Sequence, residues 1–262
     1  MGQKSYPVTK SGRGCGCGGF AFAGVRAYVP GMTDSIAIPD TVPALSPSEM
    51  TLDELRVALA PILPSHAAFD GWGEDALAQA AQELGVPADR AALAFPDGAI
   101  GMIDAWFAAI DAEMAVRAPA PMLAARKIRD RITLLVTARL EASEMHREAM
   151  RRALAILAMP QHVARAARLG WRAADAMWRL AGDRSVDLAH YTKRLTLAGV
   201  YAATLLVFID DQSENFVETR AFLDRRIAGV MRFERLKAQL KPDPDRMFSP
   251  ARFLGRLRYP VV

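Results

Sequence analysis

Residues 74–96 read EDALAQAAQELGVPADRAALAFP, and their punctuation sets the fold. The stretch splits at Gly85-Val86 into a helix over 74–84 and a second over 88–95, the latter closed by Phe95-Pro96. Two short helices on a tight Gly turn, here Ala81-x-x-x-Gly85-Val86 followed by Phe95-Pro96, form a helix-turn-helix pattern. Working outward, Thr51 with Glu54 three residues on is a capping box that opens a helix over 51–67. Downstream, the patterning predicts helices over 98–116, 121–142, 144–158, 162–181, 187–209 and 214–240. They are broken at Gly71, Gly85, Pro96-Asp97-Gly98, Pro119 to Pro121, Pro160, Gly182 and Asp210-Asp211, each a stop signal of the expected chemistry. Helix formers dominate and no strand pattern survives, so the expected class is all-α.

Hydrophobic residues make up 52% of the 262 and charged ones 24%, which suits a packed core. The longest uncharged run, Leu195 to Ile209, holds Thr196 and Thr204 and falls short of the roughly twenty residues of a transmembrane helix. It is expected to be a core helix. Residues 1–50 are expected to be disordered: Gly-rich first, then Pro, Ser and Thr without periodicity. For residues 1–31, with Lys4, Lys10, Arg13 and Arg26 and no acid before Asp34, two readings stand: a targeting segment, or a stretch ahead of a true start at Met32. Cys15 and Cys17 supply only half a metal site. Gly14-x-Gly16-x-x-Gly19 has neither the strand nor the helix that a dinucleotide fingerprint requires.

The formal net charge of +4 hides an asymmetry. From Ala68 to Asp111 there are eight carboxylates and one base, Arg90; from Arg220 to the end there are eleven Lys or Arg and four acids. DNA affinity comes largely from cations that release condensed counterions. A helix-turn-helix segment this acidic repels a polyanion, so no nucleic-acid partner is expected.

With a long helical region following it, the Ala81–Pro96 pattern resembles the TetR family of repressors. In that family a Tyr, a His and a Lys hold the phosphates; the matching positions here are Ala92, Ala94 and Gly98. The helices are therefore expected to persist as a packing scaffold. A second resemblance is carried by Asp175-x-Met177-Trp178-x-x-Ala181-Gly182-Asp183-x-Ser185-x-Asp187-x-x-His190-Tyr191-Thr192-Lys193-Arg194, with Met159-Pro160 upstream and Phe216 to Leu223 downstream. It is similar to an accessory family of ubiquinone biosynthesis, the ninth of the numbered Coq proteins, over about residues 50–235. The resemblance implies a TetR-like fold that binds isoprenoid lipid in its larger domain. It also implies a homodimer through the last two core helices and assistance to the di-iron hydroxylase acting on demethoxyubiquinone. Family members carry Trp-Tyr-Thr-Arg-Arg where this chain has His190 to Arg194, and that Trp belongs to a patch that docks the hydroxylase. The implied partner-binding residues are Asp187, His190, Tyr191, Lys193 and Arg194; on residues alone, Asp187 is equally an N-cap and His190-Tyr191 a helix start.

For lipid, Met102, Trp106, Leu134, Leu135, Leu157, Met177, Trp178, Tyr201, Leu205 and Phe208 are candidates to line a cavity, although periodicity alone serves a plain core as well. In the tail, Phe248, Phe253, Leu254, Leu257 and Tyr259 interleave with Arg252, Arg256 and Arg258. That is a short basic amphipathic segment suited to a membrane interface or to packing back on protein. The four histidines are scattered outside Glu-x-x-His spacing, and Glu144-Met145-His146 is expected to be a solvated helix face. No catalytic set, metal or cofactor is expected. The expected organisation is a 1–50 disordered segment, a degenerate helix-turn-helix over 51–97, a lipid-binding and dimerisation domain over 98–240, and a linker with membrane-binding tail over 241–262. The expected place is the inner face of a bacterial inner membrane, or the matrix side in a mitochondrion.

Overall fold

The computed structural model describes residues 46–240, with side chains through 236; of the segment expected to be disordered, residues 1–45 lie outside the described residues while 46–49 form a turn closed by the Glu49 amide on the Ser46 carbonyl at 2.8 Å, and the membrane tail expected at the other end lies outside them too. Eleven α-helices follow one another: α1 Leu52–Leu59, α2 Leu63–Asp70, α3 Glu74–Leu84, α4 Ala88–Ala94, α5 Ala99–Arg117, α6 Ala120–Ala124, α7 Ile128–Glu141, α8 Arg147–Leu157, α9 Val163–Leu180, α10 Leu188–Asp210 and α11 Val217–Leu240. Among the described residues there is no strand.

The capping box forms as read: the Glu54 amide donates to the Thr51 hydroxyl at 3.3 Å and the Thr51 amide to the Glu54 carboxylate at 2.8 Å. Two helices break where one was expected. The 51–67 helix divides around Pro61, which has no N–H to offer the preceding turn. The 121–142 helix divides between Ala124 and Ile128, leaving five-residue α6 apart from α7. Glu144–His146 is a single 3₁₀ turn, and only Glu144 and Met145 face solvent fully. His146 instead turns its ring edge towards Trp106 at 6.4 Å, and burial lowers its pKa.

The helix-turn-helix unit is bolted to the larger unit. Trp72, in the α2–α3 turn, donates its indole N–H to the Ala149 carbonyl of α8 at 3.0 Å and lies 5.2 Å from the Trp106 ring of α5. Helix α5 buries Met102, Ile103, Trp106, Phe107, Ile110 and Met114, as a central core helix should.

Helix α10 is 23 residues long and, by length and composition alone, apolar enough to cross a membrane; this exceeds the fifteen-residue run read from the sequence. Its packing gives it another role. Arg194, Leu197, Tyr201, Thr204, Leu205 and Phe208 are buried, and Arg194 is ion-paired inside the fold. The corner into α11 is strained: Asn215 and Phe216 are consecutive non-glycine residues at φ 53° and 54°. Such residues cost about 1–3 kcal/mol each and persist only where neighbours over-determine them. Here Asp211 accepts from the Ser213 amide and hydroxyl and from the Thr219 amide and hydroxyl, at 2.5–2.9 Å. The Phe216 ring lies against Phe208 at 4.9 Å, with the Arg147 guanidinium over it at 5.2 Å.

Candidate functional site

The α9–α10 turn carries the most specific stretch of the sequence, and its geometry follows from a glycine. Gly182 sits at φ +90°, the left-handed region, while its amide donates to the Arg179 carbonyl and the Asp183 amide to the Trp178 carbonyl, both at 3.0 Å. That is a Schellman stop to α9. The chain then reverses, and Asp187 caps α10 by accepting from the Ala189 amide at 3.1 Å.

Behind the turn lies a charged lock. Arg194 donates to Asp175 of α9 at 2.5 Å and to Asp183 of the turn at 3.2 Å. Lys193 reaches Asp183 at 2.7 Å, stands 5.5 Å over the Trp178 ring, and lends its carbonyl to the Trp178 indole N–H at 3.0 Å. Burial pushes the Asp183 carboxyl up, but bonds from Lys193, Ser185 and Arg194 outweigh it and hold the pKa at about 2. The lock therefore contains a permanent carboxylate at any physiological pH.

In front of the lock three rings meet. Trp171, from the middle of α9, lies 6.3 Å from His190 and 5.9 Å from Tyr191; His190 and Tyr191 are 5.2 Å apart, edge to face. His190 Nδ1 sits 2.9 Å from the Ser185 carbonyl, an acceptor, so Nδ1 carries the hydrogen. Val186, Leu188, Tyr191 and Leu195 extend the apolar surface, being 93%, 79%, 60% and 70% exposed.

The expected partner-binding set thus separates. Tyr191 faces solvent, His190 and Lys193 are half-buried, and Asp187 is spent partly on its cap. Arg194 does not reach the surface, being 2% exposed, because two carboxylates hold it inside; its place in the docking set is corrected to the lock.

The ten lipid candidates do come together. Met102, Trp106, Leu135, Leu157, Met177, Tyr201, Leu205 and Phe208 are buried in one core, with Leu134 and Trp178 packed against it. They fill that core rather than line an opening. A small cavity that touches the set, through Phe208, holds about 10 Å³, room for one water. Two members are tied down by polar bonds: Trp178 to Lys193, and Tyr201, whose hydroxyl accepts from Arg139 at 2.5 Å. Arg139 is itself buried, bonded to Asp111 at 2.9 Å and stacked 4.9 Å over the Tyr201 ring. Burial pushes the Tyr201 phenol up.

Along α10 and α11 an open cleft is lined by Thr192, Thr196, Gly199, Val200, Ala203, Arg226, Gly229, Val230 and Phe233. Small residues there let another helix approach closely. In the helix-turn-helix unit, Ala94 is buried and Ala92 exposed, and Arg90 is committed to the Ser48 and Met50 carbonyls. Among the described residues no group of three or more His, Cys, Asp or Glu gathers as a metal site.

Residues 163–234, which hold the α9–α10 lock and most of α11, match the COQ9 family model. Over this stretch the chain is similar to the COQ9 family. It is 31% identical over 199 residues to the rat protein "Ubiquinone biosynthesis protein COQ9, mitochondrial", covering 74% of this chain and 62% of that one. It is 28% identical to the human protein of the same name, with 74% and 61% covered. To the fission yeast (Schizosaccharomyces pombe) protein it is 29% identical, with 60% and 62% covered. The chain thus spans about three fifths of the length of these relatives. Among solved structures it is similar to the TetR transcriptional regulator from Nitrosomonas europaea, at a TM-score of 0.54 and 26% identity, covering 67% of this chain and 97% of that one. The all-α, TetR-like fold read from residues 74–96 stands, and so does the COQ9 resemblance read from Asp175 to Arg194.

Sequence reading missed Trp171. An indole between Arg168 and Arg172 on a helix is a weak signal, and its partners lie some twenty residues away across the turn.

Proposed function

We propose that the chain is a non-enzymatic accessory protein of ubiquinone biosynthesis. In this reading it binds an isoprenoid quinone intermediate among α5, α7, α8, α9 and α10 and presents it to a membrane-associated demethoxyubiquinone hydroxylase. The observation that carries the reading is the coincidence of the COQ9 match, residues 163–234, with a rigidly locked turn that displays an aromatic surface. A long isoprenoid tail keeps its head group in the bilayer, out of reach of a peripheral enzyme. An apolar interior accepting part of that tail offsets the extraction cost by about 0.8 kcal/mol per buried CH₂. Because the ten candidate side chains fill their own core, lipid entry requires these helices to part.

Two further parts of the reading use other surfaces. The α10–α11 cleft receives the same helices of a second copy, making a homodimer. The basic segment containing Phe248, Arg252, Phe253, Leu254, Arg256, Leu257, Arg258 and Tyr259 lies on anionic lipid, placing the protein at the inner face of a bacterial inner membrane or the matrix side of a mitochondrial one.

The test is a knockout analysed for quinone intermediates. Accumulation of a demethoxy precursor with loss of ubiquinone is expected; normal ubiquinone with no precursor would overturn the reading. The TetR regulator of similar fold keeps a second reading in view, a ligand-responsive transcription regulator. A gel-shift titration at low salt separates the two: salt-sensitive, sequence-preferring DNA binding would favour the regulator, against the −7 charge of residues 68–111 (eight acids, one base).

A further inference from the structure

Most buried polar side chains of this fold are spent. Ser143 and Thr204 bond carbonyls one turn back, Arg194 closes the α9–α10 lock, and Asp211 with Thr219 holds the α10–α11 corner. One network keeps donors to spare, and it reaches into the core that holds the ten lipid candidates. It comprises Arg139 of α7 and Tyr201 of α10, with Asp111 of α5 and Arg172 of α9 behind them. We propose that its inner end, the Arg139–Tyr201 pair, is the subsite for the oxygen-bearing ring of a quinone, while the isoprenoid tail lies along the apolar side chains. This rests on the lipid reading proposed above and gives that reading a polar end.

The Tyr201 hydroxyl accepts from Arg139 at 2.5 Å, yet its own hydrogen has no acceptor among the described residues. Burial pushes the phenol up, so that hydrogen stays in place at physiological pH. Arg172 Nε is also buried without a hydrogen-bond partner, the Asp111 carboxylate standing off at 3.6 Å. A buried donor left unpaired costs its desolvation, and a ligand that supplies the acceptor recovers it. A ring carbonyl is such an acceptor, and it brings no charge. A charged head group would be matched poorly, because Arg139 and Arg172 are already balanced by Asp111 and Asp104.

The network also has a direction. It begins at the α5–α9 seam, where the paired side chains of Arg172 and Asp104 are 39% and 32% exposed, and passes through Asp111 to the buried Arg139 and Tyr201. Polar groups thus form one path into an otherwise apolar interior. An amphiphile admitted as these helices part settles with its oxygens on that path and its tail against the apolar side chains. The walls suit a flat ring: the Arg139 guanidinium lies 5.8 Å over the Phe107 ring and 4.9 Å over the Tyr201 ring, so planar faces border the hydroxyl. Stability alone gives little reason for charges here, since well-packed apolar residues of similar volume often serve as well as a buried ion pair.

The experiment titrates the full chain, in dilute detergent, with farnesyl-benzoquinone and with farnesylbenzene, the same tail and ring without the oxygens. Calorimetry reads both affinities. The unaltered chain is expected to prefer the quinone by about tenfold or more, the worth of one well-made buried hydrogen bond. Tyr201→Phe removes only the hydroxyl and should bring the two affinities to within about twofold, by weakening quinone binding alone. Arg139→Met with Asp111→Leu makes the end of the path apolar; it should also abolish the preference while binding farnesylbenzene at least as well. Retained farnesylbenzene binding shows that each variant is still folded. A preference that survives both variants overturns the inference and leaves the lipid reading standing. So does an unaltered chain that binds the two probes equally, or a Tyr201→Phe chain that loses both to the same extent, which would make Tyr201 a packing residue. Failure of the unaltered chain to bind either probe overturns the lipid reading as well.

Discussion

The Asp183 carboxylate gives the lock a titration that can be followed quantitatively. Its pKa is held at about 2 against an ordinary value of 3.8, so the folded state prefers the ionised form. A depressed carboxylate contributes stability that is fully present above the unfolded pKa and is lost as pH falls towards the folded one. At 1.36 kcal/mol per unit, the contribution at pH 7 is about 2 kcal/mol, still near that at pH 4, about half by pH 3, and nearly gone at pH 2. Asp183→Asn imitates the protonated acid. Urea unfolding followed by circular dichroism should therefore show the variant less stable by about 2 kcal/mol at pH 7, with the two proteins converging between pH 4 and 2. Urea is the denaturant to use, because guanidinium chloride would screen the pairs with Lys193 and Arg194. A stability difference independent of pH would refute the electrostatic account and reduce Asp183 to a packing residue. No difference at pH 7 would mean that the lock contributes nothing.

The α10–α11 corner should behave alike, since Ser213 and Thr219 outweigh burial to hold Asp211 at about 2; Asp211→Ala should destabilise the fold by about 2 kcal/mol or more and remove part of the acid limb seen in urea titrations. Asp111→Ala should cost about 3–5 kcal/mol by stranding the buried Arg139, whereas replacing the pair together, as Arg139→Met with Asp111→Leu, should cost far less; equal losses would refute the pairing. Phe233→Glu with Gly199→Arg should convert a dimer into a monomer by sedimentation, and an unaltered mass would place the dimer contact elsewhere. Deleting residues 246–262 should abolish binding to anionic liposomes, and unchanged binding would remove the membrane role of the tail.

Much of the fold was legible because its determinants are local. Thr51 and Glu54, Gly85 and Gly182 act within a few residues of themselves, through caps and left-handed stops that read the same in any tertiary setting. The breaks at Pro61 and at 125–127 were not read, since each lies inside a stretch whose neighbours still favour helix. His146 was read as solvated because nothing local says that Trp106 stands opposite.

The sequence by itself determined the all-α class, the helix-turn-helix with its acidic surface, and the COQ9-like stretch from Asp175 to Arg194. Those follow from periodicity, charge counts and a motif, all properties of the chain taken in order. Only the tertiary structure decided what the motif's charges do. Arg194 is drawn inside because Asp175 and Asp183 meet there once α9 and α10 fold against each other, and a buried cation is stable only where such partners converge. The same packing brings Trp171 to His190 and Tyr191 across the turn, a contact fixed by the reversal at Gly182 and invisible to helical spacing.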